Sequence, residues 1–221
     1  LAARKKAGKT ALLGTISTAL NDAGHRHGFM TLEVTPLEIE MRHAARRLRT
    51  SPINVMRGVK AGQPVKGSMI ANLAPNTVNA TFYSQKPGAS LDQVVRFALA
   101  CQRRHQCTGI IVDYWQLITG KGNAETEEWH LRRVAQALAD LSRRLGMWIL
   151  TAVQLNQEGN SRGGEGIKLA CDAYLSMHRE PGQLGAYLEL EECRYAPVGS
   201  LGSDLVPGLI LQPNGPYFEE A

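Results

Sequence analysis

Ala3-Arg4-Lys5-Lys6-Ala7-Gly8-Lys9-Thr10 stands near the start of the chain and runs without a break into KTALLGTISTALND, residues 9–22. Ala11, Leu12, Ile16, Ala19 and Leu20 fall at helical spacing and Asn21-Asp22-Ala23-Gly24 supplies stop residues, so a helix is expected to begin at the lysine. Gly-Lys-Thr at the head of such a helix is the essential end of a phosphate-binding loop, G-x-x-x-x-G-K-[S/T]. In such a loop backbone N–H groups wrap a β-phosphate, the lysine neutralises β/γ charge and the hydroxyl ligates Mg²⁺. Ala7, Gly8, Lys9, Thr10 and Ala11 are therefore the expected nucleotide contacts, with Ala3 standing where the pattern has its first glycine. A basic stretch containing an accidental Gly-Lys-Thr is the competing reading. The context argues against it, with a strand remnant before the loop and an amphipathic helix after it.

A nucleotide hydrolase of this type also needs an acid at the end of a buried strand to hold Mg²⁺ together with Thr10. Gly109-Ile110-Ile111-Val112-Asp113 has that form, three large apolar residues and then a carboxylate. Glu33 ends the apolar stretch Phe29–Leu32 just before a proline turn; placed beside the strand of the phosphate loop, it could orient and deprotonate an attacking water. A helix-capping or solvated Glu33 fits the residues equally well. Gln154, ending the strand-like run Trp148–Val153, could by the same logic bond a γ-phosphate.

Outward from these motifs, helix-period segments at 36–49, 91–106 (capped by Ser90) and 125–145 (closed by Gly146) alternate with strand-like ones at 28–34, 109–117 and 147–153. Shorter strands at 186–193, 206–212 and 216–219 follow, separated by Pro/Gly turns. Alternation of this kind predicts an α/β fold, a mostly parallel sheet with helices on both faces and a short antiparallel extension at one edge. The 221 residues suit one generous domain, at roughly 100–200 residues per domain. No apolar run approaches the roughly 20 residues of a membrane helix. Residues 1–179 carry 24 Lys/Arg against 13 Asp/Glu, and residues 180–221 one Arg against seven acids. The basic body suits a polyanionic partner. The four cysteines form no C-x-x-C pair, and no signal-peptide pattern follows Leu1, so reduced thiols in a cytoplasmic protein are expected.

Taken together, the motifs resemble the RecA-like ATPase domain of DnaB-type replicative helicases. Ala2-Ala3-Arg4-x-x-x-Gly8-Lys9-Thr10 is similar to that family's A-A-R-P-x-M-G-K-T, where alanine also replaces the first glycine. Thr31-Leu32-Glu33-Val34, with Arg42 nine residues after Glu33, resembles S-L-E-M…R. Asp113-Tyr114-Trp115-Gln116-Leu117 resembles D-Y-L-Q-L, Val153-Gln154-Leu155-Asn156 resembles S-Q-L-N, and Glu192 to Gly199 resembles K-Q-R-N-G-P-x-G.

The resemblance implies a RecA-like P-loop NTPase that uses ATP and Mg²⁺, with Lys9 and Thr10 on phosphate and metal, Asp113 supporting the metal, Glu33 as catalytic base and Gln154 as γ-phosphate sensor. Arg194 would be an arginine finger inserted into a neighbouring subunit; a surface strand residue is the plainer reading. Glu192 departs from the family, which has lysine there, and Lys5 replaces the loop proline. The family's DNA loops correspond to 119–128 and 157–166, the second containing Arg162, Glu165 and Gly166 as expected contacts to single-stranded DNA. The partners implied are a homo-oligomer, a hexameric ring, and a loader or primase. A recombination ATPase of the wider RecA class and a nucleotide-binding assembly module with weak or no hydrolysis are the alternatives. The arginine pairs along the helices read as solvated faces, and Trp115, Trp129 and Trp148 as core or interface. The first strand is reduced to Leu1-Ala2, so the expectation is a single motor domain over residues 1–221, its beginning lost and with no N-terminal helicase domain.

Overall fold

The computed structural model describes residues 1–48, 51, 53–55, 81–120, 126–156, 166–180, 182–203, 207–211 and 218–220. The first half alternates as expected: β1 (Ala2–Arg4), α1 (Lys9–Asp22), β2 (His27–Thr31), α2 (Pro36–Leu48), β3 (Phe82–Gln85), α3 (Leu91–His105) and β4 (Gly109–Asp113). A 3₁₀ turn (Trp115–Leu117), α4 (Glu127–Leu145), β5 (Trp148–Thr151), β6 (Val153–Leu155) and α5 (Gly166–Ala170) follow. The chain ends in β7 (Ala173–His178), β8 (Gly185–Cys193), β9 (Gly199–Leu201), β10 (Leu209–Leu211) and β11 (Phe218–Glu220).

Strands β3-β2-β4-β5 pair in that order and all in parallel. β1 lies between β6 and β7, parallel to both. Only Ala152 separates β5 from β6, so the run 148–155 serves β4 on one side and β1 on the other and joins the two sheets. Beyond β7 the ladder turns antiparallel through β8, β10 and β11, with β9 on β8.

Strand alternation explains the two helical layers, because successive side chains leave a strand on opposite faces. Met30, Ile110 and Val112 pack with Val94 and Ala98 of α3 and Leu131, Val134 and Leu138 of α4. Phe29 and Ile111 join Leu12 and Leu13 of α1, Ile39 of α2 and Phe218 on the other face. Since both faces are covered, β4 is buried at every position, which is why it reads as a continuous apolar run. The helix ends follow local chemistry. Ser90 and Gln93 form a reciprocal capping box on α3, Thr35 and Glu38 exchange the same two bonds ahead of α2, and Thr126 accepts from the Trp129 N–H at the head of α4. Gly146, in the left-handed region, closes α4.

Several expectations need correction. The apolar run 109–117 is not one strand: β4 stops at Asp113 and the chain coils into the 3₁₀ turn, where Trp115 is buried. The run 147–153 is divided at Ala152, where the strand changes partner. β2 does not neighbour β1; it lies between β3 and β4, so the strand leading to Glu33 is separated from the phosphate loop's strand by β4 and the β5–β6 run. Strands β3, β7 and β9 and helix α5 were not expected.

Candidate nucleotide site

At the end of β1 the chain turns through Lys6, with φ of 65°, and Gly8, with φ of 110°. A methyl on Gly8 would lie 3.1 Å from the Phe218 ring, in a backbone region that side chains rarely adopt. α1 starts directly after it. No side chain caps this terminus, no acid lies in the first turn, and the Leu12 N–H is the first to bond back, to Gly8 O at 2.9 Å. The N–H groups of residues 8–11 therefore have no intrahelical acceptor and carry the positive end of the helix dipole, an arrangement suited to an anion. This uncapped start contrasts with the side-chain caps of α3 and α4.

Lys9 is buried, its Nζ donating to the Ala3 and Arg4 carbonyls at 3.0 and 3.1 Å. Burial lowers its pKa, while the Asp113 and Glu33 carboxylates oppose the drop. Asp113, 1% exposed at the end of β4, has both carboxylate oxygens buried without a hydrogen-bond partner. Burial pushes its pKa above the usual carboxylate range; Glu33 adds to the rise, and Thr10, Lys9 and Arg42 oppose it. Lys9, Thr10, Glu33, Arg42 and Asp113 thus share one electrostatic neighbourhood at the carboxyl ends of β1, β2 and β4. Two buried carboxyl oxygens without a hydrogen-bond partner, beside a threonine hydroxyl, fit a cation, and the open amides of α1 fit the phosphates it would accompany.

Glu33 is exposed just past β2, free of any capping role: Thr35 and Glu38 cap α2 instead. Gln154 lies in β6, opposite Ala3 of β1. Arg194 is exposed just past β8. Its N–H bonds Asp172 O at 2.9 Å, its Nη2 donates to Leu169 O at 3.3 Å, and its Nε lies 3.5 Å from Asp172 Oδ1. Arg162 and Glu165 lie outside the described residues. Gly166 is buried, and a methyl there would meet Arg132 Nε at 2.7 Å. Trp115 is core, whereas Trp129 is 59% exposed.

Arg179 went unrecognised in the sequence. From the end of β7 its Nε donates to Ala7 O at 2.7 Å and its Nη2 to Lys6 O at 3.0 Å, so it braces the phosphate loop. Fixing the Ala7 carbonyl also fixes the Gly8 N–H, which points the opposite way across the same peptide plane. With β7 unrecognised, nothing in the sequence set this arginine apart from the others. Gln116 is the second residue whose role was missed: its carboxamide pairs with the backbone of Gln154.

A Gly-Lys-Thr loop and a buried strand-end acid, on a mostly parallel sheet with helices on both faces, define a RecA-like P-loop nucleotide-binding domain. The family model for the DnaB-like helicase C-terminal domain matches residues 1–169, and the chain belongs to that family, the motor class of replicative helicases. Among solved structures, the chain is similar to one described as an ATPase domain, with a TM-score of 0.83 at 15% identity, covering 100% of this chain and 83% of that one. It is also similar to a DnaB-like replicative helicase described with its interactions with primase, with a TM-score of 0.78 at 16% identity, covering 98% of this chain and 55% of that one. No curated protein matches the sequence significantly. Among the described residues, no helix is long and apolar enough to cross a membrane.

Proposed function

We propose that residues 1–221 form a single motor domain that hydrolyses ATP at the boundaries between subunits of a ring and so moves along single-stranded DNA. One observation carries this reading: Arg194 stands far from the phosphate loop of its own chain. Lys9, Thr10, Glu33 and Asp113 converge at one end of the parallel strands, while Arg194 sits beside Asp172, at the start of β7. Arg179, at the far end of β7, holds the phosphate loop. Asp172 and Arg179 are seven residue steps apart along extended chain, about 23 Å at 3.3 Å per residue. That is well beyond the reach of one side chain, which supports a finger acting on the site of another copy.

In this mechanism the amides of residues 8–11 and the Lys9 ammonium hold the phosphates, Lys9 exchanging two carbonyl oxygens for phosphate oxygens. Thr10 and Asp113 would hold Mg²⁺, which when bound neutralises charge on the β- and γ-phosphates. Glu33 accepts a proton from the water that adds to the γ-phosphorus as the bond to the ADP oxygen breaks. Gln154 bonds the γ-phosphate and reports its loss. Arg194 from a neighbouring copy stabilises the charge of the transferring phosphoryl group. The segments 119–128 and 157–166, with Arg162, Glu165 and Gly166, are the proposed DNA contacts. A primase or loader is the proposed accessory partner.

The test is ATPase activity of the wild type with Mg²⁺, with and without single-stranded DNA, alongside sizing in ATP. The expected result is DNA-stimulated turnover by a closed ring, abolished in Lys9→Ala. Nucleotide binding without turnover, by a protein that stays monomeric, would overturn the proposal in favour of an assembly module.

A further inference from the structure

β4 stops at Asp113, but β6 continues to Leu155, so nothing from β4 remains to pair with the outer edge of β6. Val153 gives its N–H to Leu1 O on the β1 side, so the backbone polar groups of Gln154 point the other way. There they meet a side chain instead of a strand. Gln116 Nε2 donates to Gln154 O at 3.0 Å, and the Gln154 N–H donates to Gln116 Oε1 at 2.8 Å. One carboxamide therefore extends the ladder past the end of β4. Gln116 sits in the 3₁₀ turn just ahead of segment 119–128, and Gln154 lies in the strand just ahead of segment 157–166. The turn is itself anchored: His130 Nε2 bonds Ile118 O at 2.9 Å, and the Thr119 N–H donates to Ala89 O at 2.8 Å.

We propose that Gln116 is a positioning residue that couples nucleotide state to DNA affinity. Its amide pair ties the strand carrying Gln154 to the root of the segment that follows Asp113, so movement at either root is passed to the other. This rests on the reading of the two following segments as DNA contacts. Coupling between two sites is reciprocal and commonly amounts to about 5–150-fold in affinity, so it is measurable as a ratio. A physical link of this kind stands or falls on that measurement rather than on spatial intermediacy.

The test compares the full chain with Gln116→Met, which keeps the shape and removes both bonds, and with Gln116→Glu, which keeps only the acceptor. Binding of fluorescein-labelled oligo(dT) is measured with Mg²⁺ and either a non-hydrolysable ATP analogue or ADP. Nucleotide affinity without DNA and Tm are measured in parallel. The expected result is an affinity ratio between the two nucleotide states that falls at least about fivefold in Gln116→Met and by less in Gln116→Glu, with DNA-free nucleotide affinity within about twofold of wild type. An unchanged ratio in either folded variant overturns the proposal while leaving the motor reading intact. A ratio that falls only together with Tm and nucleotide affinity overturns it too, because Gln116 is then merely structural. A wild type that binds no oligo(dT) in either state removes the motor reading and the coupling with it.

Discussion

The separation of Arg194 from its own phosphate loop makes a quantitative prediction about mixed rings. Arg194→Ala is expected to lower kcat about 10³–10⁵-fold, the contribution of arginine fingers in related chemistry, or about 4–7 kcal/mol of transition-state stabilisation. Little is lost elsewhere, because the Arg194–Asp172 pair is half exposed at 3.5 Å and such pairs are worth about 0–1 kcal/mol. Lys9→Ala should be equally inactive, but for a defect in the other half of the site. In an equimolar mixture, a boundary is intact when the subunit offering the phosphate loop is the Arg194 variant and the subunit offering the finger is the Lys9 variant. Random assembly puts that combination at roughly one boundary in four, so the mixture should recover up to about a quarter of wild-type turnover. The assay is steady-state ATP hydrolysis with single-stranded DNA, after the subunits have been exchanged at low Mg²⁺ and mixed oligomers verified by mass. Verified mixed rings no more active than the separate variants would refute the split-site argument, as would Arg194→Ala turning over at the wild-type rate.

Four further outcomes follow from the same geometry. Glu33→Gln should lower kcat by about 10²–10⁴ while nucleotide affinity, read by equilibrium titration, stays near wild type, since an exposed base acts only in the chemical step. Burial raises the Asp113 pKa in the fold, so its charged form costs stability above the folded pKa, and that cost vanishes as pH falls below the unfolded value near 3.8. Asp113→Asn should therefore raise the Tm of the nucleotide-free protein at pH 7.5, a gain that shrinks toward pH 4, and should weaken Mg²⁺-dependent nucleotide binding; an unchanged Tm at pH 7.5 contradicts this account. Gly8→Ala places a methyl at φ of 110° and 3.1 Å from Phe218, and should lose nucleotide binding in a titration and about 1–2 kcal/mol of stability. In Gly109→Ala the methyl would fall 2.0 Å from the Trp148 ring, a clash that shifting one side chain does not cheaply relieve. A loss of about 1–3 kcal/mol is expected by denaturant melt, with the nucleotide site spared.

What could be read in the sequence depended on how many neighbours an element serves. β4 is buried on both faces and pairs on both edges, so its composition announces it, and the acid at its end stands out against the apolar run. β3 has the half-buried composition Phe-Tyr-Ser-Gln at the sheet edge, too mixed to show a period. β7 was hidden for another reason. Its Ser176 is buried but bonded to Glu191, and His178 stacks on Tyr187, so polar residues interrupt what would otherwise be an apolar strand. Arg179 was lost with β7. The break after Asp113 could not be read because Trp115 stays buried in the turn, keeping the run as apolar as a strand. Gln116 is a polar residue inside that run, and only the geometry shows that its amide takes the place of a strand residue.

The placement of charge gives the split site its logic. On the P-loop side, a buried lysine, an uncapped helix start and two unpartnered carboxylate oxygens each carry an electrostatic deficit in the isolated domain. Lys9 already occupies part of its capacity on the Ala3 and Arg4 carbonyls, so the loop is held near its working shape without ligand. Arg179 adds to that preorganisation by holding the carbonyls on the other side of the loop. The proposed finger side is built the opposite way: Arg194 is exposed and loosely paired, with Glu192 two residues before it and Lys168 nearby, its pKa raised by its bond to Glu191 and, to a lesser degree, by Glu192. In the proposed split site, a buried half-site and an exposed, weakly held arginine suit a boundary between copies. On that proposal, binding is complete within one subunit while fast hydrolysis waits for the next. If Glu192 entered the neighbour's site alongside Arg194, its carboxylate would cancel much of the guanidinium's charge there. On the proposed reading the electrostatics therefore require the finger to extend without it, and the pairing of Glu192 with Tyr174 in the β7–β8 ladder keeps its backbone on its own subunit.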